Sequence, residues 1–207
     1  MTTDKQVTDR LVQGFAVSFA VLDAEGRLHG RLATLAERRG LLDVSYRTVD
    51  SPLGSLLLAA TGKGLVRVAF SGEDHESVLS RLASNISPRI LRAPRRLEET
   101  ARQLEEYFAG KRRAFDVPLD LRLAHGFRRS VLLRLREIPY GKTQSYTAVA
   151  RAAGNPSAVR AAASACSHNP LPLVVPCHRV VRSDGSPGEY LGGPRAKRAL
   201  LSLEASG

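Results

Sequence analysis

The 207-residue sequence predicts a mixed α/β protein of the α+β class, with a small antiparallel sheet and helices in its N-terminal part and a mainly helical C-terminal part. Two observations support this prediction. Short β-rich runs joined by Gly and Pro turns follow one another between residues 44 and 70. Beyond them, apolar residues recur at helical spacing. We therefore expect a leader (1–41), an α/β domain (42–121) and a helical domain (122–207).

The N-terminal domain is predicted to contain a three-stranded meander and two helices. The strands are expected at residues 44–49, 55–60 and 65–70. The helices are expected at residues 73–83 and 97–108. An alternating run predicts an edge strand over residues 115–121. In the leader, residues 31–39 have helical spacing, and Gly40 is expected to end that helix.

The C-terminal domain is predicted to contain three helices, the last two of which form a helix-turn-helix unit. They are expected at residues 127–137, 146–153 and 156–167. Ser145 is expected to cap the second helix, which Gly154 ends. Asn155 and Pro156 are expected to begin the third helix as its N-cap and first residue.

The third predicted helix is rich in small residues and carries one long basic side chain, Arg160. Small residues let a helix lie close against a groove of DNA, where Arg160 could reach in. The alternative is an Ala-rich helix packed in a core, with Arg160 at its edge. Helix-turn-helix units also occur in proteins that never touch DNA, so the pattern alone leaves both interpretations open.

Positive charge is concentrated in the C-terminal half of the chain. The net charge is +11, and from Leu121 onward thirteen Lys and Arg residues stand against four acids, which leaves only +2 for the first 120 residues. Such a field attracts polyanions, and nucleic acid is the first candidate. The alternative is a solvated basic surface of an arginine-rich proteome.

The two cysteines, Cys166 and Cys177, lie eleven residues apart. This spacing fits no common zinc site, and no Cys-x-x-Cys pair occurs, so we expect no metal. A cytoplasmic, reducing setting is the default expectation. The apolar stretch at residues 15–22 is interrupted by Ser18 and is too short to span a bilayer. We therefore expect neither a signal peptide nor a membrane partner.

Cys177 and His178 are the most informative neighbours in the sequence. The thiolate is the reactive form of cysteine, and an imidazole that accepts its proton raises the thiolate fraction. Adjacency alone favours the alternative, a surface histidine beside a buried cysteine, because neighbouring side chains usually diverge. The pair therefore indicates nucleophilic chemistry only when other residues support it.

A set of motifs in fixed order surrounds this pair. They are Ile138-Pro139-Tyr140-Gly141, Ser145-Tyr146, Gly154-Asn155-Pro156, Arg160, Asn169-Pro170, Pro176-Cys177-His178-Arg179-Val180, Gly188-x-Tyr190-x-Gly192-Gly193 and Leu200-Leu201-x-x-Glu204. The set resembles the O6-alkylguanine-DNA alkyltransferases, the methylated-DNA–protein-cysteine methyltransferases. The resemblance runs from about residue 42 to residue 204, and it implies that the N-terminal domain has a ribonuclease H-like fold.

The resemblance implies direct, irreversible transfer of an alkyl group to Cys177 from O6-alkylguanine, and also from O4-alkylthymine, in double-stranded DNA. His178 would act as the base through a water, Glu204 would orient the imidazole, and Asn169 would hold the backbone around the site. Each molecule would react once, as a monomer and without a cofactor, since the damaged base is the alkyl donor. Cys166 would be a buried and inert packing residue.

The resemblance also implies that the damaged nucleotide leaves the base stack. The residues assigned to DNA binding are Ser145, Tyr146, Ala158, Arg160 and Ala161. Arg160 would fill the vacated space, and Tyr146 would press on the rotating phosphate and donate its hydroxyl proton to the guanine. The residues assigned to the base pocket are Pro172, Val180, Tyr190 and Leu191. Glu189 and the bulky Leu191 depart from the family pattern.

Three other functional classes are considered. A non-enzymatic protein that only binds alkylated DNA would lack an acceptor such as Cys177. A transcription factor with this helix-turn-helix would be expected to dimerise on palindromic sites, and no dimerisation helix is evident in the sequence. A cysteine hydrolase would need an oxyanion site, for which Gly192 and Gly193 are weak support.

Overall fold

The computed structural model of the protein describes residue 28 and residues 30–206. Residues 1–27, residue 29 and residue 207 lie outside the described residues. The prediction for the apolar stretch at residues 15–22 therefore falls outside them, as does most of the leader. Within the described part, no helix is both long enough and apolar enough to cross a membrane.

The described end of the leader forms helix α1 over residues 30–38, which confirms the helix predicted there. Gly40 follows with a φ of +64°, a conformation that glycine adopts at little cost after a helix. Ala33 of α1 is buried in a small cluster with Leu42 and Ala93. This cluster attaches the end of the leader to the N-terminal domain.

The N-terminal domain contains a four-stranded sheet in the order β3-β2-β1-β4. The strands are β1 (Val44–Val49), β2 (Leu56–Thr61), β3 (Gly64–Phe70) and β4 (Ile90–Arg92). The first three form the antiparallel meander that the sequence predicts. β4 pairs parallel with β1 and is absent from the prediction, because three residues are too few to show a strand period.

Both faces of the sheet are buried. Helix α2 (His75–Asn85) covers one face, where Val78 and Leu82 cluster with apolar residues of β2 and β3. Helix α3 (Glu98–Phe108) contributes to the core on the other face, which the C-terminal domain shares. That core is continuous as far as Cys177. The N-terminal domain is therefore packed directly against the part of the chain that carries the thiol.

The edge strand predicted over residues 115–121 is wrong. Only Leu119 forms a bridge, with Leu65 of β3. The Leu65 amide donates to the Pro118 carbonyl, and the Asp120 amide donates to the Leu65 carbonyl, each at 2.8 Å. Pro118 has no amide hydrogen and cannot extend the ladder, so the segment lies along the sheet without becoming a strand.

The C-terminal domain is mainly helical, as predicted. Its elements are α4 (Gly126–Leu135), β5 (Gln144–Ser145), α5 (Tyr146–Ala152), α6 (Val159–Ser167), β6 (Val180–Val181) and α7 (Gly193–Ala205). Single-turn 3₁₀ helices lie at Pro94–Leu97, Leu121–Leu123 and Cys177–Arg179. The parallel pair β5–β6 is absent from the prediction, since each strand has only two residues.

The helix-turn-helix unit is present, but its second helix begins later than predicted. The predicted cap of α5 is confirmed, because the Ser145 hydroxyl oxygen accepts from the Ala148 amide at 3.1 Å. Helix α6 begins at Val159 instead of Pro156. The Asn155 side chain does not cap it and instead accepts from the Ser157 hydroxyl at 2.8 Å, which stabilises a turn. The sequence signal for an N-cap also fits such a turn.

Candidate active site

Cys177 lies in a single 3₁₀ turn directly before β6, at the end of a fully buried segment, residues 169–176. Within this segment Leu173 has a φ of +73°, a left-handed conformation that is uncommon for residues other than glycine. The thiol side chain is 1% exposed. The protein therefore holds the sulfur in a strained, buried segment, a combination that often marks a functional position.

Asn169 connects the thiol to the backbone that precedes it. Its Nδ2 donates to the Val175 carbonyl at 2.8 Å and to Cys177 Sγ at 3.1 Å, and its Oδ1 accepts from the Leu171 amide at 3.0 Å. The position of Asn169 agrees with the expectation that it organises the backbone. The contact with the sulfur goes beyond that expectation.

The Cys177 thiol keeps its proton at neutral pH. Burial raises the pKa of Cys177 to about 11, while the hydrogen bond from Asn169 and the positive charge of Lys197 work in the opposite direction. Since the thiolate is the reactive form, a base has to accept the proton before the sulfur can act.

His178 follows Cys177 in the same 3₁₀ turn. The imidazole is fully buried, and its Nε2 lies 2.8 Å from Glu204 Oε1. Nδ1 has no hydrogen-bond partner among the described residues. Burial lowers the pKa of His178, although the hydrogen bond and charge of Glu204 raise it, so the neutral ring is favoured. With Nε2–H donating to the carboxylate, the lone pair is on Nδ1.

Glu204 of α7 is buried and accepts five hydrogen bonds. Its donors are His178 Nε2 (2.8 Å), the Tyr107 hydroxyl (2.7 Å), Arg179 Nε (2.8 Å), Arg179 Nη2 (2.9 Å) and the Gly141 amide (3.1 Å). Burial raises the pKa of Glu204, but the hydrogen bonds from His178 and Arg179 outweigh it and hold the pKa at about 2. The carboxylate is therefore ionised over the whole physiological range.

The structure also places three residues at the site to which the sequence analysis gives no role: Tyr107, Arg179 and Lys197. Arg179 binds Glu204 through two nitrogens and donates from Nη1 to the Ile138 carbonyl at 2.6 Å. Lys197 is fully buried, and its Nζ donates to the Val180 carbonyl at 2.6 Å. A sequence signal for Lys197 exists, because it shares a helical face with Leu200 and Glu204.

The residues assigned to DNA binding lie on the helix-turn-helix unit. Arg160 and Ala161 are exposed on α6, and Ala158 is half-buried at its N-cap. In the part of the chain that the structure describes, Arg160 makes no hydrogen bond or ion pair. Ser145 is half-buried, and its oxygen serves the α5 cap. Helix α6 therefore presents small side chains and one cation, Arg160, to solvent.

Tyr146 contacts Gly188, and Tyr190 follows Gly188 by two residues in the same segment. Tyr146 is half-buried, and a Cβ at Gly188 would lie 2.7 Å from its hydroxyl oxygen, so a larger residue there would displace the Tyr146 ring. Burial raises the pKa of Tyr146 to about 12. Tyr190 packs edge-on against Phe70 and His178, with ring centroids 5.7 and 6.3 Å apart. Tyr190 is buried, so little of its ring is open to a ligand in this conformation.

Of the other residues assigned to the base pocket, two lie close to the thiol in the chain and one lines a separate cavity. Pro172 and Val180 are buried in the segment around the thiol. Leu191 lines a different cavity of about 400 Å³, between the two domains, together with Arg67 and Arg128. The side chain of Leu191 therefore faces the space between the domains. Cys166 on α6 is buried, and burial raises its pKa well above the usual range.

The fold and the site define a two-domain protein in which a buried cysteine, histidine and glutamate lie behind a helix-turn-helix unit. Residues 44–121 match the model of the ribonuclease-like domain of 6-O-methylguanine DNA methyltransferase, and residues 126–206 match the model of its DNA-binding domain. The chain belongs to this family. The family match confirms the predicted ribonuclease-like N-terminal fold.

Individual relatives agree with this assignment. A methylated-DNA–protein-cysteine methyltransferase of Mycolicibacterium paratuberculosis is 40% identical over 161 residues, which are 78% of this chain and 92% of the relative. The constitutive enzyme of that name from Bacillus subtilis is 36% identical over 163 residues, covering 77% and 94%. The crystal structure of Mycobacterium tuberculosis OGT in complex with DNA is 40% identical, with a TM-score of 0.69 and coverage of 78% and 93%.

The depressed pKa of Glu204 predicts a pH-dependent contribution to stability. Because the folded pKa is about 2 and the ordinary value is 4.5, this contribution is fully present above pH 4.5 and is lost as the pH falls toward 2. Glu204→Gln is expected to lower the free energy of unfolding by about 3 kcal/mol at pH 7, since it breaks a buried ion pair with Arg179. Urea unfolding at several pH values measures this.

The difference in unfolding free energy between the wild type and Glu204→Gln should narrow as the pH is lowered from 5 to 3. The exposed Glu189→Gln is the matched control, because it removes the same charge without removing a buried ion pair. A difference that stays constant over this pH range would contradict the depressed pKa.

Proposed function

We propose that this protein repairs DNA by transferring the alkyl group of O6-alkylguanine, in double-stranded DNA, to the sulfur of Cys177. The observation that carries the proposal is a buried Cys177 thiol bound by Asn169, followed by a buried His178 whose Nε2 contacts Glu204 and whose Nδ1 has no partner among the described residues. The names of the relatives and the DNA complex of one of them support the same reaction and partner.

Activation of the thiol begins with proton removal. His178 Nδ1 accepts the proton of Cys177 through a water, and Glu204 stabilises the imidazolium that forms. The Asn169 amide donates to Sγ at 3.1 Å, which stabilises the thiolate as its charge develops. The positive charge of Lys197 acts in the same direction. The site thereby offsets part of the cost that burial imposes on a charged sulfur.

The transfer step exchanges one bond for another. The thiolate forms a bond from sulfur to the alkyl carbon, and the bond from that carbon to guanine O6 breaks, which leaves a negative charge on the guanine. The Tyr146 hydroxyl donates a hydrogen bond to the ring and stabilises this charge as it develops. Burial raises its pKa to about 12, so the hydroxyl keeps its proton at neutral pH and is available as a donor.

Access to the thiol requires that the base leaves the duplex and that the protein opens. Helix α6 would lie in a groove, with Ala158 and Ala161 close to the DNA, and Ser145 would contact the backbone. Arg160 would occupy the space that the flipped nucleotide leaves. The positive charge is concentrated in the C-terminal half of the chain, which supports the proposal that this half faces the DNA.

The base pocket is assigned to Tyr190, Pro172 and the Val180 carbonyl. This carbonyl accepts from Lys197, and the exocyclic amine of guanine would be a further donor to the same oxygen. Because Cys177 is 1% exposed, the protein has to open before a base can reach the sulfur. Leu191 would contribute its backbone N–H toward O6. O4-alkylthymine would be a second substrate of the same pocket.

The reaction ends after one turnover. A thioether on Cys177 is stable, and Cys166 is a buried thiol with a raised pKa, so neither residue provides a route back. No cofactor is needed, since the damaged base supplies the alkyl group. A single copy of the chain carries Cys177, His178 and Glu204, so we propose a monomer. A reducing compartment such as the cytoplasm would keep the thiol free.

Alkyl transfer is tested with duplex DNA that contains labelled O6-methylguanine. We expect stoichiometric label on Cys177 by peptide mass spectrometry, no transfer with Cys177→Ala, and retained transfer with Cys166→Ala, the matched cysteine control. Binding of the DNA without transfer would instead indicate a non-enzymatic damage-binding protein. Release of label with recovery of free Cys177 would indicate a hydrolase.

Base flipping is tested with Arg160→Ala. We expect the repair rate on duplex DNA to fall by about 10- to 100-fold, which corresponds to the few kcal/mol that unstacking a base costs. The rate with free O6-benzylguanine should be unchanged. Arg134→Ala removes the same charge from α4, where Arg134 pairs with Glu137, and serves as the control. Equal losses on both substrates would remove the role proposed for Arg160.

A further inference from the structure

Tyr107 belongs to the N-terminal domain but reaches the active site of the other domain. It is fully buried near the end of α3. Its hydroxyl donates to Glu204 Oε1 at 2.7 Å, and the hydroxyl oxygen lies 3.4 Å from His178 Nε2. The phenol therefore contacts both members of the pair that would activate the thiol.

We propose that Tyr107 is a positioning residue for alkyl transfer, through which the N-terminal domain sets the basicity of His178. This inference rests on the proposed transfer to Cys177. A structural tyrosine would only stabilise the fold. In the proposed role, the Tyr107 hydroxyl also changes how strongly the charge of Glu204 stabilises a protonated imidazole.

Three donors compete for one oxygen of Glu204. Oε1 accepts from His178 Nε2, from Arg179 Nη2 and from the Tyr107 hydroxyl. Each added donor reduces the charge that stabilises a protonated His178. The weaker contact of the hydroxyl oxygen with Nε2 acts in the opposite direction, but at 3.4 Å it is much longer than the 2.7 Å bond to the carboxylate. The net effect of the hydroxyl is to lower the basicity of His178.

The surroundings of Tyr107 fix the direction of its hydroxyl. Its ring packs against Phe108, Phe115 and Tyr140, with centroids 5.5, 5.2 and 6.2 Å away. Burial raises the pKa of Tyr107 well above its ordinary value. The phenol therefore keeps its proton, and remains a donor, at every pH at which the protein is active. An aromatic cluster thus holds one permanent donor against the carboxylate.

Other titratable groups also lie close to His178 and Glu204. Arg179 lies on the same turn, Lys197 and Glu204 lie on α7, and Tyr190 packs edge-on against the imidazole. Arg179 and Lys197 lower the pKa of His178, whereas Glu204 raises it. None of these groups changes when only the hydroxyl of Tyr107 is removed.

The experiment compares Tyr107→Phe with Tyr140→Phe in the full chain. Both substitutions remove one hydroxyl from the same aromatic cluster, but the Tyr140 hydroxyl donates to the Leu203 carbonyl at 3.3 Å and leaves Glu204 untouched. The rate of single-turnover transfer from free O6-benzylguanine is measured against pH. His178 protonation is followed in parallel by NMR titration, a readout that does not require transfer.

Tyr107→Phe is expected to shift both the acid limb of the rate profile and the His178 titration upward by about one pH unit. At pH values below the pKa of His178, Tyr107→Phe would react about tenfold more slowly than the wild type. Tyr140→Phe should follow the wild type. A Tyr107→Phe profile that superimposes on an active wild type overturns the inference and leaves the proposed function intact. A wild type that transfers no alkyl group overturns both.

Discussion

The buried carboxylate of Glu204 is the interaction on which the rest of the site depends. An ionised group away from water is stable only when donors surround it, and here five hydrogen bonds do so. The donors come from α3, from the loop at Gly141 and from the turn that carries His178 and Arg179. One side chain of α7 therefore joins both domains at the point where the thiol lies.

This arrangement explains how a buried cysteine can be both protected and reactive. Burial raises the pKa of Cys177 to about 11, so the resting thiol is protonated and shielded from solvent. Asn169, Lys197 and His178 supply the donor, the charge and the proton acceptor that a thiolate needs. A residue that is used once benefits from being inert until the damaged base is in place.

The sequence predicts much of the fold because several elements are long enough to show a period. The strands β1–β3 and the cap at Ser145 follow from local patterns, whereas β4, β5 and β6 have only two or three residues. Helix α6 begins at Val159, later than predicted, because the Asn155-Pro156 signal fits a turn as well as a helix N-cap. Tyr107 could not be assigned from local patterns, because its partner Glu204 lies 97 residues away and in the other domain.

The most direct test of this account is the tautomer of His178, measured by ¹⁵N NMR of the imidazole in the unalkylated protein at neutral pH. The account predicts a neutral ring with the proton on Nε2, donated to Glu204, and a bare Nδ1 that is ready to accept the proton of Cys177. A proton on Nδ1, or an imidazolium with both nitrogens protonated, would contradict it.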